Sequence, residues 1–522
     1  MFSATVCSHA QKAPDAGPTA GGRILLVLPF DNRSGQPSLE WIREAAPEIL
    51  GSRFASAGFA PMSRADRMYA LDHLGLPEGF HPSRASSLKL AETLDADSIV
   101  VGSFLTDGTG LVAEAQVVDV PHLSMSQPVS ARGEMRDLVA IFDTLAWKLT
   151  RQLDPGFSVA QETFVAAGAG IRLDAFEQYI RGITEPDQGE RLRHLNQSVQ
   201  LSPGFSPAWM ALGREDYNGQ QYEQAAVAFA RVDRNDSNAL EAGFYRGLSL
   251  LFSGDYVRAE EAFAGVARVL PLAEVLSNQG VALSRRGKDG VALYRQAVSA
   301  DPSQADYHFN LAVSLKRHGD TAEALTEMAQ CLRLRPNDSE AQGLNQTWRG
   351  LEAPSALEGD AEAKADPLER IARNFDAQAF RQAAQMLDQV EATRLAALTP
   401  RQRAQMLAVQ GRDYLDRGLL LEAERTYQSA AAADSRIAEV HAGLAEVRER
   451  TGDAEAARKE ARAALEIGAS ADAYLVLGRL DLAGGRLDEA NREAGEALKL
   501  DPRSRAAQDL RRQIEAKSGQ KR

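Results

Sequence analysis

Two hydrophobic periodicities divide the chain. Residues 23–153 alternate short apolar runs with helical patterns, whereas from residue 172 onward the apolar positions follow helical spacing almost throughout. The uninterrupted apolar run at 23–30 predicts a strand that is covered on both faces. Further strands are predicted at 59–62, 98–104 and 111–120, a turn at 31–35, and helices at 41–57, 83–94 and 134–153. The first part of the chain is therefore predicted to be a small α/β domain.

A unit of 32 to 34 residues repeats along the second part of the chain. A small residue recurs at that interval, and an alanine follows it by twelve residues every time. The small residues are Gly213, Gly247, Gly280, Ala312, Gly411, Ala445 and Gly478, and the alanines are Ala225, Ala259, Ala292, Ala324, Ala423, Ala457 and Ala490. Six units also place a glycine seven residues after the small one, and Gln220 takes that place in the first unit. Each unit predicts two helices that pack through the glycine–alanine pair, joined by a turn with positive φ.

This pattern resembles the tetratricopeptide repeat (TPR), a 34-residue helix–turn–helix with a small residue at position 8 and alanine at position 20. The match covers about 206–337 with four repeats and 404–503 with three. Divergent repeats are predicted at about 172–204 and 366–394. Pro302 comes two residues earlier than the corresponding prolines, which predicts a shortened second helix in that repeat.

The α/β region resembles the TolB-type amino-terminal domain. The resemblance rests on the stretch from Leu28 to Asn32, the helix that begins Glu40-Trp41, and the strands at 99–104 and 116–119. It implies a small mixed sheet with helices, found in bacterial proteins and often fused to helical repeats, and it does not imply a catalytic activity.

Together these patterns predict a mainly α fold, a TPR α-solenoid preceded by a small α/β domain. The predicted parts are a disordered tail at 1–22, the TolB-type domain at 23–155, a first TPR array at 172–349, a linker at 350–366, and a second array with a capping helix at 367–516.

Composition narrows the classes of function. Of 522 residues, 44% are hydrophobic and 25% charged, which is a globular mixture. Acidic residues outnumber basic ones by 72 to 59, and a net charge of -13 makes nucleic acid an unfavourable partner. No stretch approaches the roughly 20 apolar residues of a membrane-spanning helix. Two cysteines, Cys7 and Cys331, cannot form a disulfide framework.

Residues 1–22 bear on localisation. The first ten resemble the end of a secretory signal, although a basic start and a long apolar run are missing. One interpretation places the true start upstream, so that the protein is periplasmic or otherwise exported. The alternative is a flexible end of a cytoplasmic protein. Lipidation of Cys7 is disfavoured because Val6 stands where a small residue is needed.

Catalytic motifs do not stand out in the sequence. We find no P-loop, HExxH, nucleophile elbow or paired CxxC, so catalytic residues, cofactor and metal are predicted as none. Cys331 is interpreted as a structural thiol. An alternative hypothesis is a cryptic enzyme or small-molecule sensor, with Asp31, Asn32 and Asp107 of the α/β domain as candidates and the repeats recruiting partners.

The favoured hypothesis is a non-enzymatic scaffold that binds a protein or peptide in the concave groove of the TPRs, in the bacterial cell envelope. The groove candidates, taken from inward-facing repeat positions, are Met210, Arg214, Tyr217, Phe244, Leu248, Leu251, Ser277, Arg285, Phe309, Lys316 and Arg317. The partner, the pathway and the oligomeric state are left open.

Overall fold

The structure is a computed structural model that describes residues 24–77, 83–108, 110–166, 168, 170–350, 367–375 and 377–519. It divides into two compact units. One comprises Met1–Ala169 with Asp388–Arg522, and the other comprises Gly170–Leu387. The predicted fold class, a TPR α-solenoid preceded by a small α/β domain, is confirmed.

The α/β domain of the first unit contains a mixed sheet. Its strands are β1 (Ile24–Val27), β2 (Asp31–Asn32), β3 (Ala60–Pro61), β4 (Ser98–Asp107), β5 (Gly110–Asp119), β6 (Ser124–Met125) and β7 (Val129–Glu134). Its helices are α1 (Ile42–Ser56), α2 (Arg64–His73), α3 (Arg84–Thr93), α4 (Leu138–Leu153) and α5 (Gln161–Ala166). The strand order is β3-β1-β4-β5-β6, with β2 beside β4 and β7 beside β5; β1 pairs in parallel with β3 and β4.

The β4–β5 hairpin forms the long centre of this sheet. Ser98 pairs with Asp119 and Asp107 with Gly110, so the two strands stay in one antiparallel register along their whole length. The alternating residues Leu111, Ala113 and Ala115 of β5 are fully buried, because side chains two apart share one face of a strand.

Two strands of this domain differ from the sequence prediction. Residues 31 and 32, predicted as turn, form β2 beside β4 before the chain turns. The predicted helix at 134–153 begins only at Leu138, because Val129–Glu134 forms β7 against β5. Both segments are short or polar, and it is pairing with a buried strand that makes them extended.

The second TPR array belongs to the same unit. Its helices are α18 (Pro400–Asp416), α19 (Leu420–Ala433), α20 (Ala438–Arg450), α21 (Ala454–Ile467), α22 (Ala471–Ala483), α23 (Leu487–Leu500) and the capping helix α24 (Arg505–Gly519). Helix α19 packs against the α/β domain. The buried Glu424 carboxylate accepts the Ala160 N–H at 3.0 Å and pairs with Arg448 at 2.7 Å, and Arg425 donates to the Ser56 carbonyl at 2.7 Å.

The first TPR array forms most of the second unit. Its helices are α6 (Leu173–Thr184), α7 (Gln188–Leu201), α8 (Ser206–Asn218), α9 (Tyr222–Phe229), α10 (Ala239–Phe252), α11 (Tyr256–Ala267), α12 (Ala273–Ser284), α13 (Val291–Ala300), α14 (Ala305–Arg317), α15 (Thr321–Leu334) and α16 (Ser339–Trp348). Helix α17 (Ala377–Ala396) continues from this unit into the other.

The turn glycines behave as their spacing predicts. Gly254, Gly287, Gly319, Gly418, Gly452 and Gly485 all have φ between 70° and 89°. Gln220 takes the same conformation, with φ 60°, where the glycine is replaced. Each turn therefore closes its helical pair through a left-handed residue.

The small residues serve a different contact from the predicted one. A β-carbon on Gly247 would lie 2.6 Å from the ring of Phe263, and one on Gly411 would lie 3.0 Å from the ring of Tyr427. The nearest side chain is thus the aromatic residue four positions after the alanine, rather than the alanine itself. Ala259 is buried, but the glycine makes room chiefly for the ring.

One predicted alanine does not occupy the helix crossing. Ala292 is exposed, and Gly290 faces Gly280 instead, beneath the buried ring of Tyr294. The crossing residue Gly290 thus follows Gly280 by ten residues, where the other repeats have twelve. The two missing residues fall in the turn after Gly287. The second helix α13 is short, as predicted, at 10 residues.

The predicted helix at the start of the 366–394 repeat is wrong. Residues 367–375 form neither helix nor strand. They pack with the first array, although the sequence assigned them to the second. The predicted linker, apart from Gly350, lies outside the described residues. The predicted 1–22 tail also lies outside them.

Candidate functional site

Residues 367–375, called the docked segment below, lie along the first helices of consecutive repeats of array one. These helices, α10, α12 and α14, form what we call the inner wall. Two buried asparagines of the inner wall hold the backbone of the segment. Asn278 donates to the Ala372 carbonyl at 2.7 Å and accepts the Ala372 N–H at 2.9 Å. Asn310 does the same for Arg370, at 2.7 and 2.6 Å.

The spacing of these two clamps matches an extended chain. Asn278 and Asn310 stand at the same position of consecutive repeats, two residues before Gly280 and Ala312. The backbone groups that they bind are two residues apart, and groups two apart point the same way in an extended strand. Each asparagine therefore binds one dipeptide step of the segment through backbone groups alone.

A carboxylate pocket lies beside the clamps. The Glu369 side chain is fully buried and is paired with Arg317, while the Arg285 Nη1 lies 3.6 Å from its Oε2. The Ser284 hydroxyl donates to the same carboxylate. Arg285 also donates to the Glu369 carbonyl at 3.2 Å. Two guanidinium groups and a hydroxyl thus compensate a charge that would otherwise be very costly to bury.

The next residue of the segment fills a slot of opposite charge. The Arg370 guanidinium hydrogen-bonds Asp338 at 2.6 and 2.9 Å, Glu340 at 2.8 Å and Asp306 at 2.9 Å, and it stacks 3.7 Å from the centroid of the Phe309 ring. Burial opposes the charged form, but these carboxylates outweigh it and raise the pKa of Arg370. The hydrogen bond from Arg370 lowers the pKa of Asp338. The slot therefore selects a planar cation.

An aromatic contact completes the docking. The ring of Phe375 lies 5.5 Å from that of the buried Phe244 and 5.6 Å from that of Phe380. Arg373 covers the ring of Phe252 at 5.2 Å. The segment is thus anchored at both ends, by charge at Glu369 and by ring packing at Phe375.

The structure brings four of the predicted groove residues against the docked segment, namely Phe244, Arg285, Phe309 and Arg317. Ser277 stands one step behind, where it accepts a hydrogen bond from Asn310 at 3.1 Å. The remaining candidates have partners within array one: Met210, Tyr217, Leu248 and Leu251 in its apolar clusters, Arg214 on Glu241, and Lys316 on Thr321. Sequence reasoning missed Asn278 and Asn310, although an asparagine at the same position of adjacent repeats was a visible signal.

The candidates of the α/β domain serve its local structure. The Asn32 amide donates to the Gln36 carbonyl at 3.1 Å and to Glu40 at 3.0 Å, and its oxygen accepts the Ser34 N–H at 3.0 Å. Asp31 of β2 pairs with Ser103 of β4, and Asp107 pairs with Gly110 where the β4–β5 hairpin turns.

Three further features bear on function: the Cys331 thiol, possible metal ligands and the apolar length of the helices. Burial raises the pKa of the Cys331 thiol to about 11, which makes it a poor nucleophile. In the described ranges, no group of three or more His, Cys, Asp or Glu side chains is placed to hold a metal ion. None of the helices that the structure describes is long and apolar enough to cross a bilayer.

Comparison with known proteins agrees with the repeats. The tetratricopeptide-repeat family model matches residues 284–339 and 409–473, one stretch in each unit. Both arrays therefore contain TPRs, and proteins with TPRs are generally protein-interaction scaffolds.

Individual relatives are distant. Anaphase-promoting complex subunit 3 of Schizosaccharomyces pombe is 24% identical over 156 residues, 29% of this chain, and the match spans 24% of that protein. Among solved structures, YrrB, titled a TPR protein with an unusual peptide-binding site, is 16% identical, with 33% of this chain and 92% of that chain covered and a TM-score of 0.31. MamA from Desulfovibrio magneticus RS-1 is 22% identical over 33% of this chain and 100% of that chain, with a TM-score of 0.30. The carboxy-terminal domain of LpoB from Escherichia coli is 18% identical over 23% and 88%, with a TM-score of 0.20.

Proposed function

We propose that the protein is a non-enzymatic interaction scaffold whose first TPR array binds an extended polypeptide. The observation that carries this proposal is the pair of asparagine clamps. Asn278 and Asn310 each satisfy both backbone groups of one residue in an extended segment. Backbone contacts of this kind supply affinity for any extended chain, and neighbouring pockets supply specificity.

The pockets of the inner wall favour a peptide ligand that carries a carboxylate, a guanidinium and an aromatic ring. The arginines around Glu369 accept a carboxylate, the acidic cluster around Arg370 accepts a guanidinium, and Phe244 accepts an aromatic ring. Aromatic and arginine side chains in desolvated pockets are the groups that usually dominate peptide affinity.

We test peptide binding with an opened variant of the full chain, in which Glu369→Ala, Arg370→Ala and Phe375→Ala weaken the hold of the docked segment. A fluorescein-labelled peptide of sequence PLERIARNF, copied from 367–375, is titrated by fluorescence anisotropy. The proposal predicts saturable binding.

The specificity of that binding is checked on the inner wall. Adding Asn278→Ala and Asn310→Ala to the opened variant should weaken binding at least tenfold. The control Asn196→Ala removes an exposed asparagine of α7 that donates to the Leu192 carbonyl of its own helix, and it should change nothing. An opened variant that keeps its helical circular dichroism and urea midpoint but shows no binding would reject the proposal.

The cellular setting is part of the same proposal. The signal-like residues 1–22 support export to the bacterial envelope, and the TolB-type resemblance of 23–155 supports a bacterial origin. Fractionation of cells that express the complete gene tests this: recovery in the periplasmic or membrane fraction supports export, and recovery with cytoplasmic markers rejects it.

One observation favours a second candidate, a small-molecule site in the first unit. Asp143 of α4 lines a cleft of about 430 Å³, together with residues of α5 and Thr451. Its carboxylate is buried 3.6 Å from the Arg53 Nε, and burial raises the pKa of Asp143 to about 7. A thermal-shift screen of amines, nucleotides and sugars on the full chain tests it. Stabilisation that Asp143→Asn removes would support this site, and a silent screen would reject it.

A further inference from the structure

We propose that the docked segment is a built-in competitor, which occupies the inner wall until a partner with the same chemistry replaces it. This inference rests on the proposed function of array one. The partner that the contacts define is an extended polypeptide with a carboxylate and a guanidinium on adjacent residues. It also carries an aromatic ring five residues beyond the guanidinium, as Glu369, Arg370 and Phe375 are spaced.

The order of charges is fixed by the wall. The carboxylate pocket consists of Arg285 and Arg317 on α12 and α14, whereas the cation slot consists of Asp306, Asp338 and Glu340 at the other side of Asn310. A ligand with the two charges reversed would set like charges against both pockets. Like charges at close range are strongly unfavourable, so the wall rejects such a ligand.

Only one side of the docked segment is committed to the wall. Leu368 is 60% exposed, and Asn374 is exposed as well. The segment has no helical or sheet hydrogen bonds of its own, and side chains of the wall supply the contacts that hold it. A second polypeptide can therefore replace it contact for contact, without disruption of any secondary structure.

Exchange of the docked segment for a partner also avoids the cost of exposing buried charges without their counter-charges. An empty wall would take the Glu369 carboxylate away from Arg285 and Arg317, and the Arg370 guanidinium away from the acidic slot, where Arg335 would remain 2.7 Å from Asp306. Removal of one partner from a buried ion pair is strongly destabilising, whereas a ligand that brings the same charges restores every pair. The wall is thus expected to be occupied in all states, by its own segment or by the partner.

The tether sets how strongly the segment competes. Eighteen residues, 349–366, connect α16 to the segment. Covalent tethering over that length gives an effective concentration on the order of 1 mM. For a segment whose intrinsic Kd is about 10 µM, a free peptide would then bind the intact chain about 100-fold more weakly than the opened variant.

The test compares the labelled PLERIARNF peptide on the wild-type chain and on the opened variant. We expect binding to the opened variant at least tenfold tighter than to wild type. The charge-reversed peptide PLREIARNF should bind neither. Leu368→Ala, which changes an exposed side chain of the segment, should bind as wild type does. Glu369→Gln, which keeps the shape of the side chain, should also tighten binding, and it serves where the triple variant does not fold.

The outcomes separate the two proposals. Equal, saturable binding to wild type, Glu369→Gln and the opened variant would overturn the competitor and leave peptide binding intact. Binding to none of these folded chains would overturn peptide binding itself. Equal affinity for the charge-reversed peptide would overturn the assigned partner chemistry.

Discussion

The hydrogen bonds between Asn310 and the backbone of Arg370 yield a prediction that can be measured at another residue. Asn310→Ala removes two bonds of 2.7 and 2.6 Å, and it also removes the donor to Ser277. Each intramolecular hydrogen bond contributes about 0.5–1.5 kcal/mol, so docking of the segment should lose about 2 kcal/mol. This corresponds to roughly thirtyfold in the docked-to-released equilibrium.

Native-state hydrogen exchange measures that equilibrium directly. The Ala372 amide donates to Asn278, which the substitution leaves in place, so its exchange reports release of the whole segment. Exchange at Ala372 should accelerate about thirtyfold in Asn310→Ala, as worked from those bonds, and should be unchanged in the exposed control Asn196→Ala. If Ala372 exchanges at the wild-type rate while the variant remains folded, the asparagine does not hold the segment and the reasoning is refuted.

Three further predictions concern acid sensitivity, repeat packing and the α/β interface. Because the pKa of Asp338 is lowered from its usual 3.8, its ion pair with Arg370 stabilises docking above pH 3.8 and loses this effect as the pH falls below it. Exchange at the Ala372 amide, corrected for the intrinsic rate, should therefore stay constant from pH 7 to 5 and rise below about pH 4. A flat profile down to pH 3 would contradict this. Gly290→Ala should lower the free energy of unfolding in urea by about 1–3 kcal/mol, because a β-carbon there would press on the facing helix. Ala292→Ser, at an exposed position, should leave the free energy of unfolding within about 0.5 kcal/mol of the wild-type value, and equal losses in the two variants would contradict the assigned register. Glu424→Ala should lower the free energy of unfolding in urea by about 3–5 kcal/mol, because it leaves the Ala160 N–H and Arg448 without their buried carboxylate, whereas the exposed Glu439→Ala should change it little. A small loss in both variants would show that the Glu424 contact does not stabilise the fold.

Repeat spacing carried most of the fold prediction, because packing between paired helices restricts side-chain size at fixed positions. The glycines of the turns were predictable from φ alone, and Gln220 shows that the turn persists without glycine. Ala292 was wrongly predicted to lie at the helix crossing, because the prediction counted a fixed twelve residues from Gly280. A deletion in the turn shifts the register by two, and only the early Pro302 in the sequence signals it.

The site was partly predictable. Four of the inward-facing repeat positions, Phe244, Arg285, Phe309 and Arg317, contact the docked segment, since the geometry of the repeat fixes which side chains face the wall. The docked segment was not predictable, because Leu368, Ile371 and Phe375 have helical spacing. Local periodicity favoured a helix, and the tertiary contacts of Glu369 and the two asparagines outweigh it.

The contact of Phe375 with the inner wall is the central claim, and photo-crosslinking tests it most directly. A full chain in which p-benzoylphenylalanine replaces Phe375 is irradiated at low concentration and digested for mass spectrometry. Because the two rings lie 5.5 Å apart, the account predicts an adduct within the same molecule to Ala239–Phe252, at or beside Phe244. Adducts only to other parts of the chain, or only between molecules, would contradict it.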